Sequence, residues 1–284
     1  MRTILGSFVA MAMLLLCNAC QDELEQLEKS VVADEFYHKK KTLHTYVLIH
    51  GAWHPESVWG NVQDKLEEFG HTIIAVQLAG LGNDNTPIGS VNLQTHVDQV
   101  IAAINAQPEE VILVGHSYGG VVISQVGESI PQKIKRLVYV SAFMPVSGES
   151  LIQLSLQDTL SVITQNVIVN PPGIYLPDSI LIEAFYNYSL NNNNQPLQQE
   201  INDVLPLLRP QPIQTALDTV SLGSNYASLP KNYVACPNDQ AVTPGLQSFM
   251  YSRFPGTSIH TINNSDHSPF VTRPNQLANY LKKL

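Results

Sequence analysis

Short apolar runs alternate with amphipathic stretches from Thr45 to the C-terminus. Six runs rich in β-branched and other apolar residues predict strands. They span residues 45–50, 71–78, 110–115, 135–143, 231–236 and 258–263. Strands that alternate with helical segments are typical of a mostly parallel sheet with helices on both faces. The pattern therefore predicts one α/β domain over residues 44–284.

Two of the helical segments are well marked. One runs from about Val58 to Phe69, and the other from Leu93 to Ala106. Apolar side chains three and four positions apart line one face of the second helix, at Val97, Val100, Ile101 and Ile104. Either Pro269 or Pro274 is expected to open the last helix, because proline is favoured at the first helical position.

The alternation stops between about residues 146 and 228. This segment contains "VNPPGIYLPD", an asparagine run, and helical patches at Ile180–Leu190 and Leu197–Leu208. A plain loop of that length is uncommon in a compact domain. We therefore expect a mainly helical cap insertion, lying over the carboxyl edge of the sheet, where α/β sheets place their sites.

The first 20 residues, "MRTILGSFVAMAMLLLCNAC", predict an export signal. The basic Arg2 precedes an apolar stretch that is too short for a membrane-spanning helix of about 20 residues. Ala19 before Cys20 resembles a bacterial lipoprotein signal, which predicts a signal peptide over residues 1–19 and a lipidated Cys20 as the mature N-terminus. Residues 20–43 are then a spacer, and the protein is expected to be exported and lipid-anchored in a bacterial cell envelope. A simple secretory signal is the alternative.

Composition excludes several classes of function. The 284 residues include 44% hydrophobic and 14% charged side chains, and the formal charge of −9 argues against a nucleic-acid partner. Removal of the leader would leave Cys20 and Cys236, which form no disulfide framework. The histidines lack paired metal-ligand spacing, and no G-x-G-x-x-G follows the first strand, so we expect neither a metal nor a nucleotide cofactor.

The heptapeptide "VGHSYGG", residues 114–120, carries the strongest chemical signal. It matches G-x-S-x-G between a predicted strand and a predicted helix, the context of a serine on a tight, exposed turn. Ser117 is therefore the candidate nucleophile. The alternative is an ordinary glycine-rich turn.

A serine hydroxyl needs a base that takes its proton and a third group that orients the base. His267 in "SDHSPF" follows the last predicted strand and is the candidate base, and Asp239 in "YVACPNDQAV" follows the preceding strand and is the candidate acid. The weaker alternatives are His50, His116 and His260 for the base and Asp266 for the acid; we expect Asp266 to shape the loop instead.

Two backbone N–H groups should meet the negative charge that develops on a substrate oxygen. One is the N–H of Tyr118, directly after the serine. The other is the N–H of Ala52, in the loop after the first strand, where Gly51 lets the backbone turn. His50–Gly51 as a simple tight turn is the alternative.

Together these segments resemble the α/β-hydrolase superfamily, and within it the plant methylesterase and hydroxynitrile lyase group with its bacterial relatives. The resemblance extends from about Thr45 to the C-terminus and rests on "HGAWHPESVW", "AGLGND", "VILVGHSYGG", "LVYVSAFMP", "FYNYS", "LLRPQP", "YVACPNDQAV" and "SDHSPF". It implies an α/β-hydrolase fold and a cofactor-free serine esterase that works through an acyl-enzyme. It supports the triad and both oxyanion donors chosen above.

Two departures from the family bear on chemistry. The lyases of this group carry a bulkier hydroxylated residue in place of Gly51 and a lysine in place of Ser268, so the resemblance favours ester hydrolysis. "FYNYS" departs from the "FYHDCS" of bacterial relatives, so no relative's substrate is carried over.

The leading hypothesis is therefore a carboxylic-ester hydrolase for a small to medium, partly apolar small-molecule ester. Aromatic and apolar side chains that could line its pocket are Trp53, Phe143, Met144, Tyr175, Phe185 and Tyr186. Packing of the cap is an equally good role for its aromatic residues, and His54 is expected to face solvent in its turn. A lyase or C–C bond hydrolase with the same triad, and a surface binding protein, are the alternatives; the oligomeric state stays open.

Overall fold

The computed structural model describes residues 43–188 and 195–284. The predicted signal peptide, Cys20 and all but the last residue of the predicted spacer lie outside the described residues. Among those that are described, no helix is both long and apolar enough to cross a membrane.

A six-stranded parallel sheet forms the centre of the domain. Its strands are β1 (Thr45–Ile49), β2 (Thr72–Val76), β3 (Val111–His116), β4 (Ile134–Val140), β8 (Lys231–Ala235) and β9 (Ser258–Thr261). They lie side by side in the order β2-β1-β3-β4-β8-β9. All six match predicted runs, and the predicted parallel sheet is confirmed. The run 135–143 ends early at Val140, because Ser141 turns out of the sheet at φ 42.

Helices cover both faces of this sheet. They are α1 (Gly60–Glu68), α2 (Leu93–Asn105), α3 (Gly119–Ser129), α10 (Pro244–Ser252), α11 (Pro269–Thr272) and α12 (Pro274–Leu281). The Asn92 side chain accepts from the Thr95 amide at 2.9 Å and starts α2 where the sequence predicted it. Both candidate prolines open a helix, Pro269 that of α11 and Pro274 that of α12.

The central strands are apolar throughout because both of their faces are buried. Val47, Ile49 and Leu113 contribute to one core cluster, together with side chains of α2 and α3. Tyr46 and Leu48 contribute to the other, together with α1 and α12. Full burial of each such aliphatic side chain is worth about 1.5–3 kcal/mol, so the two clusters hold the sheet between its helix layers.

The segment between β4 and β8 is mainly helical, as predicted, but also holds a small antiparallel sheet. Its elements are α4 (Leu151–Ser155), α5 (Val162–Asn166), β5 (Ile168–Asn170), β6 (Gly173–Tyr175), α6 (Leu181–Tyr186), α7 (Gln195–Val204), β7 (Gln211–Pro212), α8 (Ile213–Leu217) and α9 (Ser224–Ser228). Strands of two or three residues are too short to show a period in the sequence. The predicted patch 197–208 is α7 followed by a 3-10 turn, Leu205–Leu207, because Pro206 cannot continue the helix.

This insertion is bonded to loops at the carboxyl ends of the strands. The Val162 amide donates to the Gln240 carbonyl at 2.9 Å, beyond β8. The Arg209 amide donates to the Trp53 carbonyl at 2.9 Å, beyond β1. Since these loops all leave the same edge of a parallel sheet, the insertion covers that edge.

Candidate active site

Ser117 lies on the tight turn between β3 and α3. Its φ of 52 is in the left-handed region, which is uncommon for a residue with a side chain. The turn is held from both sides, because the Ser117 amide donates to Val140 at 3.3 Å and its carbonyl accepts from Phe143 at 3.0 Å. The strained conformation places Ser117 at the carboxyl end of the central strand.

The glycines around Ser117 allow strand and helix to approach closely. A Cβ atom on Gly119 would lie 2.8 Å from the Ile49 carbonyl oxygen, and one on Gly115 would lie 2.6 Å from the Gly119 carbonyl oxygen. Neither space admits a side chain. The motif glycines are thus required by packing, as the sequence predicted.

His267 and Asp239 are hydrogen-bonded to each other in the interior. Nδ1 of His267 lies 2.8 Å from Oδ2 of Asp239, and the two side chains are 1% and 0% exposed. Because an ionised carboxylate only accepts, the partners assign the proton to Nδ1. Nε2 is then the nitrogen that can take a proton from a serine hydroxyl.

The Asp239 carboxylate is held by further donors. Its Oδ1 accepts from the Ala241 and Val242 amides, both at 2.8 Å, and its Oδ2 also accepts from Gln247 at 3.1 Å. Burial raises the pKa of Asp239, whereas His267 and the two amides favour its charged form and oppose that rise.

Asp266, the alternative acid, holds the loop instead. Its Oδ1 accepts from the Ser268 amide at 3.2 Å and from the Thr272 hydroxyl at 2.7 Å, and its Oδ2 accepts from the Tyr188 amide at 3.0 Å. Burial raises its pKa to about 6. Its bonds tie the His267 loop to α11 and to the end of α6.

The alternative bases are engaged elsewhere. Nε2 of His116 donates to the His267 carbonyl at 3.0 Å, and the Ser141 hydroxyl donates to the same oxygen at 3.0 Å. Nε2 of His50 accepts from the Leu78 amide at 3.1 Å, and burial lowers the pKa of His50 to about 3. His260 lies on β9, and its ring stacks on the ring of Tyr280.

Ala52 and Tyr118, whose amides were predicted as oxyanion donors, line the same cavity as Ser117. Within residues 43–188 and 195–284, neither amide donates to a protein acceptor. Trp53, directly after Ala52, has a φ of 64, which turns the chain back at this point.

His54 is buried rather than exposed, so the prediction of a solvent-facing histidine is wrong. Its Nδ1 donates to the Ala52 carbonyl at 2.8 Å, and its Nε2 accepts from the Tyr186 hydroxyl at 3.0 Å. Burial lowers its pKa to about 4, so it is neutral at pH 7. It therefore joins the loop after β1 to helix α6.

The cavity at Ser117 is small, about 40 Å³. A single water needs roughly 10–15 Å³, so this space accepts only a small group. It is lined by Ala52, Trp53, Ser117, Tyr118, Phe143, Leu151, Ser155, Ile163, Phe185, Ala241 and Val242. Trp53, Phe143 and Phe185 line this cavity, and their contact with a substrate stays a prediction.

The other three predicted lining residues lie off the cavity. Met144 is fully buried, and its amide meets the Met250 sulfur at 3.3 Å. Tyr186 turns its hydroxyl to His54. Tyr175 lies on β6 with its ring beside Gly173. Being aromatic or apolar does not show which way a cap side chain points.

Several residues of the site were missed from the sequence. Leu151, Ser155 and Ile163 belong to short cap helices whose orientation has no signal in the sequence. Ala241 and Val242 could have been found, because they lie two and three positions after Asp239 in its loop.

Residues 46–280 match the model of the alpha/beta hydrolase family. The chain belongs to this family. The strand order of its sheet, the serine on the tight turn between β3 and α3, and the buried pair of Asp239 and His267 agree with that assignment. Within the described ranges, no group of three or more His, Cys, Asp or Glu side chains could hold a metal ion.

The chain is similar to esterases from plants and bacteria. Methylesterase 2 of Arabidopsis thaliana is 26% identical over 253 residues, 86% of this chain and 96% of that protein. Another Arabidopsis methylesterase is matched over 63% of its length. The carbendazim hydrolyzing esterase of Nocardioides sp. (strain SG-4G) is 41% identical over 111 residues, 38% of this chain and 46% of that protein.

Solved structures share the fold. The crystal structure of a methylesterase from Arabidopsis has a TM-score of 0.71 to this chain at 23% identity, covering 85% of this chain and 98% of that chain. At this identity the likeness establishes the fold and leaves the activity to the site.

Proposed function

We propose that the protein is a serine carboxylic-ester hydrolase that acts through an acyl-enzyme on a small to medium, partly apolar ester. The proposal rests on the buried 2.8 Å bond between His267 and Asp239, taken together with a serine on the tight turn after β3 that lines a cavity. The esterase relatives support the same reaction class.

In the proposed mechanism Ser117 attacks the ester carbonyl while Nε2 of His267 takes its proton. Asp239 stabilises the imidazolium that forms, and the Ala52 and Tyr118 amides donate to the oxyanion. The C–O bond to the alcohol then breaks, and His267 returns the proton to the leaving alkoxide. Water, deprotonated by His267, next attacks the acyl-enzyme and releases the carboxylic acid and free Ser117.

The residues that line the cavity support the proposed substrate class. Phe143, Ile163, Phe185 and Val242 make the cavity mostly apolar. About 40 Å³ suits a short acyl group. We therefore expect short acyl esters to be hydrolysed faster than long ones by this conformation.

The decisive experiment uses the purified protein with p-nitrophenyl acetate and a long-chain p-nitrophenyl ester, together with a fluorophosphonate probe located by mass spectrometry. Ester hydrolysis and a label on Ser117 are expected, with the short ester preferred. Ser117→Ala should lose both. Ser155→Ala removes the hydroxyl of the second serine that lines the cavity and should keep the label.

Other outcomes would redirect the assignment. A folded protein with neither turnover nor label would refute hydrolysis and leave a binding role. Aldehyde or ketone release in place of an acid would point to the lyase alternative, which Gly51 and Ser268 argue against.

A further inference from the structure

The side chain of Gln247 is buried next to the acid of the proposed triad. Gln247 lies on α10 and is 1% exposed. A glutamine so deeply buried must bond its amide to protein groups, because an unpartnered amide in the interior is costly. Its partners therefore show what the residue does.

All of its partners belong to the loop that leads from β8 to α10. Oε1 accepts from the Cys236 amide at 3.0 Å. Nε2 donates to the carbonyl of Val242 at 2.8 Å, to Oδ2 of Asp239 at 3.1 Å and to the carbonyl of Cys236 at 3.2 Å. One amide thus joins both ends of the loop to the carboxylate in its middle.

The position of this donor on the carboxylate matters. Oδ2 is also the oxygen that accepts from Nδ1 of His267 at 2.8 Å, whereas Oδ1 is held by the Ala241 and Val242 amides. Among the described residues, Gln247 is the one side-chain donor to Asp239 besides His267. It therefore limits rotation of the carboxylate and keeps Oδ2 facing the imidazole.

We propose that Gln247 is a positioning residue that orients Asp239 toward His267. The inference rests on the proposed function, since orientation of Asp239 affects catalysis only if the triad operates. Gln247 would act through Asp239 and not by touching the substrate.

The other titratable groups near Asp239 do not compete for this role. Burial raises the pKa of Cys236 to about 12 and that of Tyr233 well above its usual value, so both are neutral at working pH. Asp266 titrates near pH 6 but is the same in every variant compared below.

The test is a double-mutant cycle on p-nitrophenyl acetate hydrolysis, with active sites counted by fluorophosphonate. Gln247→Leu should lower kcat about 10- to 100-fold with little change in KM, the usual effect of losing a group that orients a catalytic side chain. In an Asp239→Asn background the same change should cost less than about threefold, because Gln247 acts through Asp239.

The control is Gln99→Leu. Gln99 lies on α2 and accepts from the Ala79 amide at 2.9 Å. The substitution therefore removes a comparable bond between a helix and a loop, away from Asp239. The kcat of the Gln99→Leu variant should stay near that of the wild type. Equal losses from Gln247→Leu in both backgrounds, or no loss in either, would overturn the proposal.

A second variant and an NMR measurement complete the test. If Gln247→Leu does not fold, Gln247→Glu is tested in its place. Its activity per titrated active site should fall as pH rises, because the carboxylates of Glu at position 247 and Asp239 repel each other. The low-field NMR resonance of the His267 Nδ1 proton should shift or vanish in either variant and persist in Gln99→Leu. That resonance reports orientation even if the wild type hydrolyses no ester; an unchanged resonance refutes positioning.

Discussion

Gly51 packs directly against the turn that carries Ser117. A Cβ atom at this position would lie 2.8 Å from Cβ of Ser117 and 2.8 Å from Nδ1 of His116. Real Cβ atoms do not approach heavy atoms so closely, and both neighbours are buried in the elbow. A methyl group here must therefore displace Ser117 or the loop that carries Ala52.

Gly51→Ala is expected to lower kcat/KM by at least about tenfold, because small shifts of reacting groups are costly, and to destabilise the fold by about 1–3 kcal/mol through overpacking. Ester hydrolysis and urea unfolding measure the two effects. Gly60→Ala is the control, since no atom lies within 4 Å of its added methyl at the start of α1. Equal activity of the two variants would contradict the close approach.

Residues whose role depends on chain order were predictable. Ser117, Asp239 and His267 each follow a strand, and their order matches the pattern of the family. His54 and Gln247 were not predictable in this way. Their roles come from partners 132 and 8 positions away, Tyr186 and Asp239, and no local pattern marks those pairs.

Helix α6 of the insertion is tied to the loop after β1. The Tyr186 hydroxyl and the Ala52 carbonyl bind opposite nitrogens of His54. Ala52 supplies a proposed oxyanion donor, so the seating of α6 and the shape of the oxyanion hole are linked through one neutral imidazole.

Tyr186→Phe is expected to lower the free energy of unfolding by about 1–3 kcal/mol, because it leaves the buried Nε2 of His54 without this donor. It should also reduce kcat, since His54 holds the loop that carries Ala52, the proposed oxyanion donor. Urea titration and ester kinetics check both. Tyr175→Phe, off the cavity on β6, should change neither; a Tyr186→Phe variant that behaves identically would disprove the link.

Long elements were better predicted than short ones. The helix at 93–105 and the strands of the central sheet have enough residues to display a period. The strands β5, β6 and β7 have only two or three residues each, and β5 is exposed along its whole length. They exist because the insertion packs in a particular way, not because their residues favour strands.

The interior of the protein holds several neutral histidines. Burial lowers the pKa of His50 to about 3 and those of His54 and His96 to about 4. Each titrates near 6.5 once the chain unfolds. The unfolded state therefore binds more protons than the folded state between about pH 6.5 and 4.

The free energy of unfolding is expected to fall as pH drops through this window. Each of these histidines contributes about 1.4 kcal/mol per pH unit where only its unfolded form is protonated. Asp266 and Asp239 oppose the trend, because burial raises the pKa of both carboxyl groups and lets the folded state take up protons. The three histidines, with His116 whose pKa burial also lowers, outweigh them, so stability is retained above pH 6.5 and lost toward pH 4.

Urea midpoints at pH 7 and pH 5 measure this effect, with the lower midpoint expected at pH 5. His54→Asn keeps a donor for the Ala52 carbonyl but removes one titrating group, so its stability should depend less steeply on pH. A midpoint that rises from pH 7 to pH 5 would show that the buried histidines are not the controlling groups.

The layered α/β architecture, the serine turn after β3 and the chain order of the proposed triad residues follow from the amino-acid sequence. They depend on side-chain period and on local turn chemistry, which neighbouring residues fix. Three features could be found only in the folded protein: which cap side chains line the cavity, how His54 joins α6 to the loop after β1, and what Gln247 binds. The first two depend on contacts between segments far apart in the chain, and the third depends on how a loop folds back onto the helix that follows it.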